Sequence, residues 1–400
     1  MNFDIARKIA DAVLYEGYVL YPYRASSAKN RFRWQFGVLA PRAYGENAGE
    51  PWMMETQCLV ETHGAPAVDI VVRFLQVQAR TVEAPRGNPV ESIEIDGRRF
   101  TSWEEGVERQ VELRGIPIAR LFEDELTQPF CWPQWREEES LGGAGVVVRE
   151  RWALSGRVAL AAERRGGIVK LRVRVENLTP LAGADRQAAI RRSLNGAHTL
   201  LGITDGAFLS LTDPPPAAIE AAAGCRNLHT WPVLAGRPGE RDILLSSPII
   251  LSDYPAVAPE SPGDLFDATE IDELLTLRVM TLTEDEKREA RATDPRASAI
   301  VDRSDSLPRE EFERLHGVAR CFGPFVTGGR VRLRPRRRAD SMDMFLAGRI
   351  ARVAAIERDF EDRTYIAVSL EDDPGAGLYN RYFYFDPEEL EPVEEPKEDN

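Results

Sequence analysis

Few side chains in this sequence stand at spacings that carry chemistry. Cys225 and His229 lie four apart in "CRNLHTW", which would put both on one face of a helix and begin a zinc site. The flanking "NLHTWPVL" reads as strand, however, and no second Cys/His pair lies nearby. The expectation is no bound metal and no cofactor. His198 in "LNGAHTLLG" and His316 in "RLHGVA" sit beside apolar residues, as core or turn histidines do. No GxSxG elbow is present. Cys131 in "QPFCWPQW" stands among Phe130, Trp132 and Trp135, which suits a buried aromatic corner better than an activated thiolate. Neither dinucleotide nor P-loop glycine pattern occurs. The acidic runs Glu137–Glu139 and Asp372–Asp373 read as solvated, with no companion group for acid–base work.

The densest chemistry opens the chain. "YEGYVLYPYRASSAKNRFRWQFGVL", residues 15–39, packs Tyr, Trp and Phe among Arg and Lys. These residue types carry most of the binding energy at protein interfaces. The alternation in "RFRWQFGVL" separates Arg31 and Arg33 from Phe32, Trp34 and Phe36, so those rings can equally fill a core. The loop "YRASSAKNR" has almost nothing apolar. It is read as an exposed, donor-rich loop that contacts a protein partner through Arg24, Lys29, Asn30 and Arg31, beside Tyr21 and Tyr23.

A second cationic stretch, "RVRLRPRRR", spans Arg330–Arg338. Nucleic acid is one partner for such a run. Against it stand the nearby "LEDDPG", the acidic tail and a formal net charge of −14. Contact with carboxylates, within the chain or on a partner, fits better.

These candidates must be positioned by a largely β scaffold. "GYVLYPY", "RWQFGVLAP", "METQCLVET" and "VDIVVRFLQVQAR" carry strand composition between Pro, Gly and Asn turns. Asp96-Gly97 in "ESIEIDGRRF" signals a tight hairpin, with "WEEGVERQVEL" returning on it. "GVVVRERWAL", "GRVALAAERR" and "GIVKLRVRVENLTP" read as three strands turning at Ser155-Gly156 and Gly166-Gly167. In the third, Val169, Leu171, Val173 and Val175 alternate with charged residues, the mark of an antiparallel sheet wet on one face. "RQAAIRRSLNGAHTLLGI" is helix or strand, with strand preferred, and "NLHTWPVLAG" and "DILLSSPIIL" complete the sheet.

Near residue 260 the periodicity becomes helical, with Ile271, Leu274, Leu275, Leu277 and Val279 at helical spacing and Asp267 or Thr269 as cap. Thr283 and Glu286 form a capping box, and "PREEFERLHGVA" is a further short helix. Four short strands follow from Gly323, as in a small open barrel of the Src-homology type. The fold expected is therefore α+β. A large, mainly antiparallel, sandwich-like β domain with an N-terminal helix spans 1–255, a helical segment 256–322, the small barrel 323–393 and a disordered acidic tail 394–400.

A chain of 400 residues exceeds the usual single core. The first helix, with Ile5, Ile9, Ala12 and Val13 on one face, lacks the apolar run and cleavage site of a secretory signal. No apolar run approaches the roughly 18–20 residues of a membrane span. Four scattered cysteines suit reduced thiols, so a cytoplasmic location is expected.

"ADAVLYEGYVLYPYRASSAKNRFRWQFGVL" resembles the opening of uncharacterised proteins encoded beside uptake nickel–iron hydrogenases in actinobacteria and related soil bacteria. "SSPIILSDYPAVAPESPGDLFDATEIDELLTLRVMTLTEDEK" and "RADSMDMFLAGRIARVAAIERDFEDRTYIAVSLEDDPG" are similar to later parts of the same proteins. The resemblance implies a non-catalytic accessory, assembly or scaffolding role, with hydrogenase subunits as partners. The chain lacks the clustered cysteines of the redox subunits themselves. The alternatives are a hydrolase-like site in the β domain, using His198 or His229 with nearby carboxylates, and nucleic-acid binding by the small barrel.

Overall fold

The computed structural model describes residues 3–31, 33–181, 183, 185–256, 263, 265–266, 272–308, 329–334, 346, 348–358, 364–370, 383–385 and 389–393. Contacts divide the chain into two compact units, Met1–Leu307 and Pro308–Asn400.

The spine of the first unit is β1 (Met53–Ala84), which fuses two expected strands across a register shift between Thr62 and Ala67, where Gly64 and Pro66 fall. In chain order there follow β2 (Asn88–Val90), β3 (Ser92–Ile95), β4 (Arg98–Thr101), β5 (Trp103–Pro117) and β6 (Leu126–Trp132). Next come β7 (Trp135–Ser140), β8 (Val146–Arg151), β9 (Leu154–Arg165), β10 (Ile168–Asn177), β11 (Asn195–Leu209), β12 (Trp231–Leu234) and β13 (Ile243–Ser247). All except β3 and β4 join one 11-stranded sheet. Every pairing is antiparallel, as the alternation in β10 requires.

Three strand assignments after β1 change. The Asp96-Gly97 hairpin forms, with both residues at positive φ (50° and 76°), as a tight hairpin turn demands. β5 does not return on it, because β1 offers a far longer ladder, from Ala67 opposite Pro117 to Arg80 opposite Trp103. Ser155-Gly156 lies inside β9 rather than at a turn, and β8 pairs with β1 and β7. "RQAAIRRSLNGAHTLLGI" supplies both a short helix and the start of β11.

The two faces of β1 explain the layering. Cys58, Val60, Val68, Ile70, Val72 and Phe74 point into the main core, with residues of β6, β9, β10 and β11 around them. The odd positions face the other way and are covered in succession along the strand. Leu59 meets Leu209 and Ala218, Val71 meets the first helix, and Leu75 and Val77 meet the aromatic N-terminal segment and the late helices.

The helices are α1 (Asp4–Tyr15), α2 (Arg42–Ala48), α3 (Arg186–Ile190), α4 (Ile219–Ala223), α5 (Asp272–Met280), α6 (Glu284–Thr293) and α7 (Pro295–Ser306). On α1 the buried positions are Ala6, Ala10, Val13 and Leu14, while Ile5 is exposed. The predicted face is thus rotated, since alanines let the helix lie close on Val71 and Leu200. α5–α7 share a core with residues of the 14–34 stretch, so the helical segment as far as Leu307 belongs to the first unit.

The capping box of α6 forms as read: Thr283 Oγ1 accepts from Glu286 N–H, and Glu286 Oε2 accepts from Thr283 N–H at 2.9 Å. Thr283→Ala should lower stability by about 1 kcal/mol in urea unfolding. No change would mean that tertiary packing alone holds α6.

The second unit holds a five-stranded antiparallel sheet of β14 (Arg330–Leu333), β15 (Ile350–Arg358), β16 (Thr364–Leu370), β17 (Phe383–Phe385) and β18 (Leu390–Pro392). Val331, Leu333, Val353, Ile366, Val368 and Phe385 form its core. "RYFYFDPEELEPV" supplies two of these strands rather than one. The expected helix at 308–319, the cap at Asp267 or Thr269, the end of the basic run at 335–338 and the acidic tail lie outside the described residues.

Candidate functional site

Residues 16–31 and 33–52 are not strands. Apart from the single turn Lys29–Arg31 and α2, the segment is irregular, with Tyr23 and Trp34 at φ of 61° and 65°. Most of its described cations and phenols find partners inside the chain.

Arg33 is buried, with its guanidinium 3.5 Å from the Trp103 ring centre and 4.8 Å from that of Trp34. It donates to the Tyr18 carbonyl at 3.0 Å and to the Glu104 carbonyl. Burial pulls its pKa down to about 10, so it stays charged at neutral pH. Tyr18 donates to Asp294 Oδ2 at 2.7 Å, and Tyr15 donates to Glu108 Oε1 at 2.6 Å. Burial, assisted by those carboxylates, pushes both phenols above their usual range. Asp294 also caps α7, so one side chain ties the opening segment to the late helices.

The six residues assigned to partner binding divide accordingly. Tyr23 is fully buried and donates to the Leu265 carbonyl at 2.9 Å. Asn30 is buried and pins its own loop, bonding the Leu20 backbone through both amide atoms and the Arg24 carbonyl at 3.0 Å. Arg24 pairs with Glu286 at 3.1 Å. Tyr21 is half-buried against Tyr23, near the Arg278 guanidinium. Arg31 closes the short turn, and Lys29 is exposed. Ala25 N–H and Ser26 N–H donate to Thr293 Oγ1 and Glu289 Oε1. The loop "YRASSAKNR" therefore lies along α6 of its own chain rather than standing free on a sheet. Short-range polarity could not reveal this, because the carboxylates and hydroxyl it meets are some 260 residues away.

The end of the same stretch does reach a surface. Val38 and Leu39 line a groove of about 310 Å³ with Pro51, Met54, Trp231 and Pro248. Gly37 holds φ 55°, and a side chain there would meet Pro248 Cγ at 2.7 Å and the Ala197 nitrogen at 2.9 Å. His229 sits in the wall at φ 58°. Trp231 is 42% exposed, the neighbouring Leu228 43%, and Ile250, two residues beyond Pro248, 74%. Trp231 begins β12, the terminal strand of the sheet path. From sequence this region reads only as sheet; the available signal was a Trp beside Pro in so short a strand.

No protein-family model matches this chain, and no curated protein matches it.

The titratable candidates fall in separate places. His198 is fully buried opposite Arg73 in the β1–β11 ladder, its Nδ1 2.9 Å from the Gly196 carbonyl. Burial first, then the Arg73 charge, lower its pKa to about 3. It is a neutral core imidazole without access to a substrate. Cys58 is buried and its thiol pKa is raised by that burial, while Cys225 sits half-buried after α4, its thiol facing the Ala221 carbonyl. Phe130 and Trp132 pack on Phe74 but stay partly exposed, Cys131 between them is exposed, and Trp135 stacks on Arg151, so the buried corner expected around Cys131 forms only in part. Among the described residues, no group of three or more His, Cys, Asp or Glu is placed to hold a metal ion. Arg334 pairs with Glu391 at 2.7 Å, the intramolecular carboxylate contact expected for part of the basic run. Among the described residues, no helix is long and apolar enough to cross a membrane.

Proposed function

We propose that this protein is a non-catalytic accessory or scaffolding protein that holds another protein chain, and that the groove beside Trp231 is where it does so. The observation that carries this reading is the exposure of Trp231 beside walls of Val38, Met54 and Pro248, with Leu228 and Ile250 exposed close by along the chain and Gln35, Glu50 and Arg186 as the polar part of the lining. Exposed apolar patches of this kind mark interaction sites, and Trp is the side chain most enriched among binding hot spots. The occupant that fits is an extended apolar segment, lying along the groove beside the outer edge of β12.

The resemblance to proteins encoded beside uptake nickel–iron hydrogenases makes hydrogenase subunits the proposed partners and the cytoplasm the proposed location. Closure of the second unit's sheet into a Src-homology-type barrel belongs to the same proposal. It rests on the number and shortness of the strands.

The test is co-purification from cells that make this protein together with a nickel–iron hydrogenase, comparing the parent with Trp231→Ala/Ile250→Ser. Hydrogenase subunits should be retained by the parent and fall about 10-fold with the variant, the loss of one or two hot-spot side chains. The variant should keep the parent's thermal stability, since surface substitutions usually shift it by less than about 0.5 kcal/mol. Equal retention by both would move the interface elsewhere. Absence of hydrogenase subunits from both would remove the proposed partner.

A further inference from the structure

We propose that a second, arginine-lined cleft in the first unit binds a small phosphate-bearing ligand. The cleft, of about 440 Å³, lies between the β3–β4 hairpin, β8 and the α6–α7 pair, and is in the size range of small-molecule sites. Six arginines line it: Arg80, Arg98, Arg99, Arg149, Arg288 and Arg291.

Four of these charges are already matched. Arg80 pairs with Glu105 at 2.8 Å and Arg149 with Glu139 at 2.9 Å. Arg288 pairs with Asp285, and Arg291 with Asp302 and Asp305 at 2.7 and 2.8 Å. Arg98 and Arg99, side by side after the Asp96-Gly97 turn, have no carboxylate partner among the described residues. Asp294 is the only acid in the lining among the described residues. Its oxygens are taken by the Tyr18 hydroxyl and the Arg296 N–H.

Two donors within the cleft wall are unmatched, one of them on Arg99 itself. Thr101 is 4% exposed, and its Oγ1 has no hydrogen-bond partner. Arg99 Nε is buried and likewise without one. A guanidinium nitrogen can only donate, and buried donors left unmatched cost free energy, so the site calls for acceptor oxygens. The first turn of α7 lines the cleft as well, through Pro295 and Ser298, with its end already capped by Asp294.

Two unmatched guanidiniums and a hydroxyl demand more oxygens and more charge than one carboxylate carries. A phosphate or pyrophosphate group supplies both. Ala292 and Val147 give the cleft an apolar side for the rest of the ligand, while the Phe100 ring carries the Arg98 guanidinium 4.8 Å from its centre. This cleft is independent of the groove at Trp231.

The experiment is titration calorimetry of the full chain with inorganic pyrophosphate, with a hexaglutamate peptide as the competing probe. Pyrophosphate should bind saturably at one site. Its affinity should fall at least about 10-fold in Arg98→Ala/Arg99→Ala and about 3- to 10-fold in Thr101→Val. Arg120→Ala/Arg237→Ala removes two exposed charges elsewhere and should leave binding unchanged. If the double cleft variant unfolds, Arg98→Gln, at an exposed position, should still weaken binding several-fold. Absence of saturable binding to the parent overturns the proposal, as does equal weakening by the control pair, which would indicate attraction to net charge. Tighter binding of hexaglutamate than of pyrophosphate overturns it in favour of an acidic peptide.

Discussion

Replacing Arg33 by Ala should destabilise the first unit by about 3 kcal/mol, through the cavity it leaves and the two carbonyls it strands. The guanidinium fills the space between Tyr18, Trp34 and Trp103 and satisfies the Tyr18 and Glu104 carbonyls. Alanine leaves a cavity and strands both acceptors at once. Urea unfolding followed by tryptophan fluorescence reads the effect directly, because Trp34 and Trp103 form the walls. Arg33→Lys should also lose about 2 kcal/mol or more, since an ammonium cannot reproduce the planar fork. Arg33→Met should lose less than Arg33→Ala, because an apolar side chain of similar volume fills the space without a charge to desolvate. A stability for Arg33→Ala within about 0.5 kcal/mol of the parent would show that the rings pack without the cation.

Acid should weaken the protein through His198. Its folded pKa is about 3 against an ordinary 6.5, so between those values the unfolded chain binds a proton that the folded chain does not. Stability from this residue is complete above about pH 6.5 and falls by about 1.4 kcal/mol per pH unit as the pH drops toward about 3. From about pH 7 to about pH 5 the loss is about 2 kcal/mol. The charge cannot be accommodated because the imidazole is enclosed, with Arg73 directly opposite and Asp11 and Glu108 engaged with that arginine. His198→Asn keeps a donor for the Gly196 carbonyl and removes the titration. The difference in pH slope between parent and variant isolates this group from the carboxylates common to both. Parallel slopes would mean that His198 gains access to water in the folded state.

The sequence by itself determined the local grammar. Period-two alternation from Val169 to Val175 fixed an antiparallel strand with one buried face, and the ladder of β10 with β1 and β9 follows it. Asp96-Gly97 fixed a hairpin, and Thr283 with Glu286 fixed a helix start, because each depends on backbone geometry within a few residues. Tertiary structure alone decided what the aromatic and cationic opening is for. Arg24, Tyr23 and Asn30 look like donors for a partner only while Glu286, Leu265 and the folded-back Leu20 backbone are out of sight. Their partners lie as far as 262 residues along the chain, and no local pattern encodes such a pairing. The same holds for both clefts. Trp231 and Val38 belong to segments that read as ordinary strands, and Arg99 and Thr101 to an ordinary hairpin. Exposure of the first pair around a groove, and burial of donors without acceptors in the second, are properties of packing. They arise only when β1 bends its two faces toward different neighbours.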